Sequence, residues 1–277
     1  GSDDVIAMSF LTFFNSQKPV LFPDITYSFY KVWADLYRIS YETPALDENM
    51  AIRPLDYKGE NGGIIFPNPN APTGVYMPLD QVEEIVKANQ DVIVIVDEAY
   101  IDFAGPSARE LLSGYDNLLV VQTFSKSRSM AGVRIGFALG SPVLIKALND
   151  VKYSYNSYTM NLPSQLAGTQ AVKDRAYFEE TRAKIMDTRE RAKKRFAELG
   201  FTFPDSMTNF ILVTHERVPA RAIFDALKKE RIYVRYFNAP RLDNSLRVSI
   251  GTDEEMDALF RFLEQYLKEW KPAGDSE

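Results

Sequence analysis

Over the first 148 residues, short apolar runs alternate with stretches whose apolar residues return every three or four positions, the pattern of strands and helices taken in turn along a parallel sheet. Strands are expected over 19–22, 39–42, 63–66, 92–97, 118–123 and 136–139, and helices over 27–37, 78–89 and 141–148. Pro78 and Pro142 fall near the first turn of two of these helices, where a missing amide costs little. The run 92–97 is apolar and β-branched until Asp97, which suits a strand buried on both faces that delivers an acid to the carboxyl edge of the sheet. The run 118–123 repeats the arrangement, with Ser125 and Lys126 in the loop just beyond it. Two strand ends therefore aim an acid and an amine at one crevice.

From about 174 to 199 charged residues recur with helical spacing, and Gly200 stands where a helix C-cap would. Strands over 209–213, 233–235 and 246–250 surround a helix over 219–230, a last helix is expected over 253–270, and 272–277 reads as a frayed tail. The chain is expected to be α/β: a mostly parallel, doubly wound large domain over 1–175, then an interdomain helix and a small α+β domain over 176–277.

Composition narrows the chemistry. With 32 basic against 38 acidic side chains the formal charge is -6, which is not the footprint of a nucleic-acid binder. No cysteine and a single histidine, His215, remove disulfides and a Cys/His zinc site, and no metal is expected. No apolar stretch reaches the roughly 18 residues of a membrane span, and the amino terminus lacks a signal-peptide layout, so no membrane partner and a cytoplasmic location are expected. A serine hydrolase is disfavoured because no Gly-x-Ser-x-Gly turn exists, and a P-loop nucleotide binder because no Gly-x-x-x-x-Gly-Lys occurs.

What is left is a set suited to pyridoxal phosphate, which needs an amine for its aldehyde, an acid at its ring nitrogen, a donor to its ring hydroxyl and an anion site for its phosphate. Lys126 supplies the amine, Asp97 the acid, and Tyr100, three residues on, the donor. Ser125 and Arg134 suit the phosphate, as do the bare amides of the helix that opens at Gly1-Ser2-Asp3-Asp4. Singly, each has a plain reading: an aspartate that caps a turn, a solvated arginine. Their joint occurrence with Asn68-Pro69-Asn70-Ala71-Pro72-Thr73-Gly74 is what carries weight.

With those motifs, over nearly its whole length, the chain resembles the fold-type I pyridoxal-phosphate-dependent aminotransferases of class I/II, and most closely their histidinol-phosphate branch. The resemblance implies catalytic roles for Lys126, Asp97 and Tyr100, a phosphate site of Ser2, Asp3, Ser125 and Arg134, and Tyr27 stacked on the cofactor ring, although a core aromatic asks for the same side chain. It implies that Arg247 and Arg235 receive the substrate phosphate of histidinol phosphate and, in the other half-reaction, the carboxylates of glutamate and 2-oxoglutarate, with Asn209 nearby. The reaction implied is a ping-pong transamination in histidine biosynthesis, carried out by a homodimer in the intact protein.

Two departures stand out. The family's asparagine at the ring hydroxyl directly precedes the proline of Pro-Thr-Gly, where this chain has Ala71, so Asn70 is the candidate one residue early. The chain also opens on the Gly-Ser-Asp turn, so the family's N-terminal segment is expected to be missing, with its arm, lid aromatic and a tyrosine that reaches the neighbouring subunit. The alternatives are another aminotransferase or a phosphothreonine-type decarboxylase on the same scaffold, or a cofactor-binding chain without turnover.

Overall fold

The computed structural model describes residues 1–271; the expected tail over 272–277 lies outside them. Two compact units divide at Glu179/Glu180, four residues beyond the expected 175/176 boundary. In the first, β1 (Val20–Leu21), β2 (Tyr41–Glu42), β3 (Ile64–Pro67), β4 (Val94–Asp97), β5 (Leu118–Thr123) and β6 (Gly136–Gly140) form one sheet in the order β2-β1-β3-β4-β5-β6. Every pairing is parallel except that of β5 with β6.

The β-branched runs account for the centre of this sheet. Ile65, Ile95, Leu119 and Val121 share one face and pack under α1 (Ser2–Phe13), α2 (Phe29–Tyr37) and α4 (Pro142–Tyr155) through Ile6, Phe10, Phe14, Tyr30, Trp33, Leu144 and Leu148. Their alternate neighbours Ile64, Phe66, Val94, Val96, Leu118 and Val120 are just as buried and face the other way, as the two-residue period of a strand requires. The ring of Tyr57, in the turn Pro54–Tyr57, meets Phe66 there. That turn packs with α3 (Leu79–Ala88), which buries Val82, Ile85 and Val86. Both faces are thus covered, the condition for a doubly wound sheet.

In the first unit three helices depart from expectation. The helix expected over 27–37 starts at Phe29, leaving Tyr27 in the loop before it. That expected over 141–148 runs on to Tyr155. A further helix, α5 (Leu162–Lys173), was not expected, because its apolar residues do not gather on one face: Leu162, Leu166 and Val172 are exposed. Its start is set locally, Asn161 accepting the amide of Ser164 at 2.9 Å as an N-cap.

The division between units falls within α6 (Arg175–Glu198). Beyond it, β7 (Phe201–Thr202), β8 (Phe210–His215), β9 (Arg235–Tyr236) and β10 (Leu246–Ser249) make an antiparallel sheet in the order β7-β8-β10-β9, with α7 (Ala220–Lys229) and α8 (Asp253–Glu269). Its core joins Phe196 of α6 to Ile211, Val213, Ile223, Leu227, Leu246, Val248, Leu259, Phe260 and Leu263. Thr252 and Glu255 close a reciprocal capping box at the start of α8. Among the described residues no helix is long and apolar enough to cross a membrane.

Candidate active site

The register of the parallel strands builds one edge. Pro67 of β3, Asp97 of β4 and Val121 of β5 are paired in line, so β3 and β4 end level while β5 runs two residues further, to Thr123, at the same carboxyl edge. Asp97 is buried, and its carboxylate accepts the hydroxyl of Tyr30 at 2.7 Å on Oδ2 and the amide of Ala99 at 3.1 Å on Oδ1. Burial raises its pKa to about 6; the Tyr30 and Ala99 hydrogen bonds and the charge of Lys126 act against that rise, and Asp3 acts with it.

Past β5 the chain turns tightly. The hydroxyl of Thr123 lies 2.9 Å from that of Ser125 and 3.0 Å from the Ile135 carbonyl, and accepts the Ser125 amide at 3.1 Å. The turn closes with the Ser129 amide on the Lys126 carbonyl at 3.0 Å, Ser129 lying at φ 53°. Half-buried Lys126 places its Nζ 5.4 Å from the centre of the Tyr100 ring. Ser127 donates to Asp102 and so ties this loop to the segment after Tyr100. Arg128 anchors the other side, 4.1 Å from the Phe178 ring and donating to the Ala171 carbonyl at 2.7 Å.

Beside this loop lies the start of α1. The Gly1 nitrogen donates to the Arg134 carbonyl at 2.8 Å, and Arg134 sits in the left-handed region at φ 56°. Its guanidinium reaches Asp3 at 3.5 Å, and Asp3 accepts the Tyr27 hydroxyl at 2.9 Å. A Cβ on Gly136 would come within 2.4 Å of the Ser2 nitrogen, and one on Gly1 within 2.9 Å of Arg134 Nη2, so both glycines keep a close approach that side chains would fill.

These residues fit the cofactor expected of them. An amine and a buried acid lie at one sheet edge, while a guanidinium, a serine hydroxyl and helix-start amides share a cradle lined by glycine. Asp3 can serve a phosphate only through its backbone amide, since its carboxylate repels the anion and is engaged by Arg134 and Tyr27. Asn70 is buried, and its amide hydrogens go to the Ile25 carbonyl at 3.0 Å and Thr73 Oγ1 at 3.1 Å, so in this arrangement it ties its own loop to the segment before α2. Tyr27 stacks on Phe29 with ring centres 5.6 Å apart.

In the second unit, Arg235 and Arg247 face each other across β9 and β10 as direct partners. Both guanidinium groups lie over Phe237, at 5.6 and 5.8 Å, and Arg247 is also 5.0 Å from Phe210. Asn209, half-buried, accepts the Ile250 amide through its backbone at 2.9 Å. Among the described residues no group of His, Asp or Glu is placed to hold a metal ion. Sequence reasoning missed Tyr30, Thr123, Asp102 and Ser127. Only Tyr30 had a signal, its place three residues after Tyr27.

The family described as aminotransferase class I and II matches residues 1–263. The histidinol-phosphate aminotransferase of Lactococcus lactis subsp. cremoris (strain MG1363) is 49% identical over 268 residues, which cover 97% of this chain and 75% of that protein. The crystal structure of the histidinol-phosphate aminotransferase from Clostridium acetobutylicum is similar with a TM-score of 0.90 at 24% identity, over 98% of this chain and 83% of that one. That of the Sinorhizobium meliloti histidinol-phosphate aminotransferase in complex with pyridoxal-5'-phosphate has a TM-score of 0.84 at 24% identity, over 95% and 74%. At those identities the two structures speak for the fold.

Proposed function

This chain belongs to the class I and II aminotransferases, and from that premise we propose that it exchanges an amino group between histidinol phosphate and 2-oxoglutarate. The observation that carries the reading is 49% identity to a histidinol-phosphate aminotransferase over 97% of the chain, on a fold whose parallel strands β4 and β5 bring Asp97 and Lys126 to one carboxyl edge. Bound pyridoxal phosphate supplies the electron sink that lets an amino group leave one carbon and be taken up by another.

The residues divide the work as follows. Lys126 would hold the cofactor through its amine, and the same amine when free would move the proton at the substrate Cα. Asp97 would keep a proton on the ring nitrogen by opposing its charge, and Tyr100 would donate to the ring hydroxyl. Ser125, Arg134 and the amides at the start of α1 hold the phosphate. Arg235 and Arg247, side by side on β9 and β10, take the anion of the substrate: the phosphate of histidinol phosphate, or a carboxylate of glutamate or 2-oxoglutarate. The assembly proposed is a homodimer; in its support, Phe29, Val32 and Leu36 leave an apolar stripe exposed along α2.

The test is a visible spectrum of the purified chain with pyridoxal phosphate, before and after glutamate and then histidinol phosphate, with 2-oxoglutarate assayed. A band that each donor bleaches, and that Lys126→Ala lacks, is the expected result. Arg235→Ala should weaken histidinol phosphate roughly ten- to hundred-fold, the worth of a charge-assisted contact, and unphosphorylated donors less. A stable band that no donor bleaches would instead identify a cofactor-binding chain without turnover.

A further inference from the structure

We propose that Tyr30 is a positioning residue for this reaction, its hydroxyl holding the Asp97 carboxylate ionised and turned toward the cofactor ring nitrogen. The inference rests on the function proposed above.

Tyr30 is fully buried in the first turn of α2 and cannot swing away. Its ring is hemmed in by Phe10, Phe22, Tyr27 and Trp33, with centres 6.3, 6.0, 5.7 and 6.4 Å distant. Its hydroxyl has one hydrogen, and the 2.7 Å contact with Asp97 Oδ2 uses it. Burial and the neighbouring Asp97 both keep that proton on the phenol, so Tyr30 is a permanent donor. With the Ala99 amide on Oδ1, each carboxylate oxygen has one lone pair engaged by a donor that does not move, which fixes the plane in which the others point.

The groups that face Asp97 show why this donor matters. Asp3 on α1 pushes the carboxyl toward its neutral form, as does burial, while Lys126, the Ala99 amide and Tyr30 pull toward the charged form; Tyr27 and Tyr100 complete the surround. Lys126 would be committed to the cofactor when that is bound, whereas the hydrogen bonds of Tyr30 and Ala99 stay on the carboxylate as its standing support. A neutral Asp97 could not hold a proton on the ring nitrogen, so without Tyr30 the burial that excludes water would work against the chemistry.

Tyr30→Phe removes the hydroxyl and keeps the ring. In the cofactor-free chain, carboxyl-carbon NMR should show the Asp97 titration midpoint rising by about 1 to 2 pH units, the worth of one hydrogen bond to a charged group. Pyridoxal phosphate affinity should fall about two- to ten-fold at pH 7, in step with the ionised fraction, and recover by pH 9. Should Tyr30→Phe fail to fold, 3-fluorotyrosine at the same position keeps the packing with a stronger donor and should move the midpoint the other way. An unchanged midpoint, with normal cofactor uptake by the wild-type chain, overturns this proposal alone. Failure of the wild-type chain to take up the cofactor overturns the functional reading and this proposal with it.

Discussion

A buried carboxylate is unfavourable for the fold that contains it, and Asp97 shows how far. Burial moves its pKa from an ordinary 3.8 to about 6, so the folded chain binds a proton there more tightly than the unfolded chain does. The stability linked to that proton is fully present below 3.8 and is lost as the pH rises through about 6. Asp97→Asn removes the charge but sets its amide hydrogens against the Tyr30 or Ala99 donor, so it should stabilise the cofactor-free chain by less than the roughly 3 kcal/mol that the pKa difference allows at pH 7, the gain narrowing as the pH falls through 5. Urea unfolding at the two pH values measures it; a variant less stable than wild type at pH 7 would contradict the account. The same change would remove the charge that Asp97, in the proposed role, sets against the cofactor ring nitrogen, a stability gained where function is lost. Asp97 and Lys126 were legible because their signals are local, a strand-ending acid and a lysine in a loop. Tyr30 was not, since its partner lies 67 residues away.

Among elements, the seating of α1 on β6 is the tightest fit near the proposed phosphate cradle. A Cβ at Gly136 would meet the Gly1 carbonyl carbon at 2.3 Å and the Ser2 nitrogen at 2.4 Å, backbone atoms that cannot turn aside. Gly136→Ala should push the helix start off the sheet and lower pyridoxal phosphate affinity by about 5- to 100-fold, matching the roughly 1–3 kcal/mol of an overpacked contact. Titration of the visible band is the measurement, and wild-type affinity in this variant would show that the helix start does not hold the phosphate. The central strands were readable as unbroken β-branched runs, whereas α5 and the two-residue β7 carry too little periodicity to announce themselves.

Across the whole molecule, each unit closes a core of its own. Phe196, fully buried and edge-on to Phe201 and Phe260, belongs to the second. Phe196→Ala should cost about 3–5 kcal/mol there, and hydrogen exchange should report it as lost protection in β8, β10 and α8 with β4 and β5 unchanged. Equal losses in both units would mean that they unfold as one.

By itself the chain determined most of the succession of elements, the α/β class and the residue types gathered at two strand ends, because strand burial, helix periodicity and turn chemistry are written within a few residues of one another. Tertiary structure decided which of them act together. It gave Asp97 a fixed donor in Tyr30, turned the Asp3 carboxylate to Arg134 and Tyr27, tied Asn70 to Ile25 and set Arg235 opposite Arg247. Such pairings join positions far apart in the chain, and only the packing of one element on another decides which hydrogen bonds a buried polar group can make.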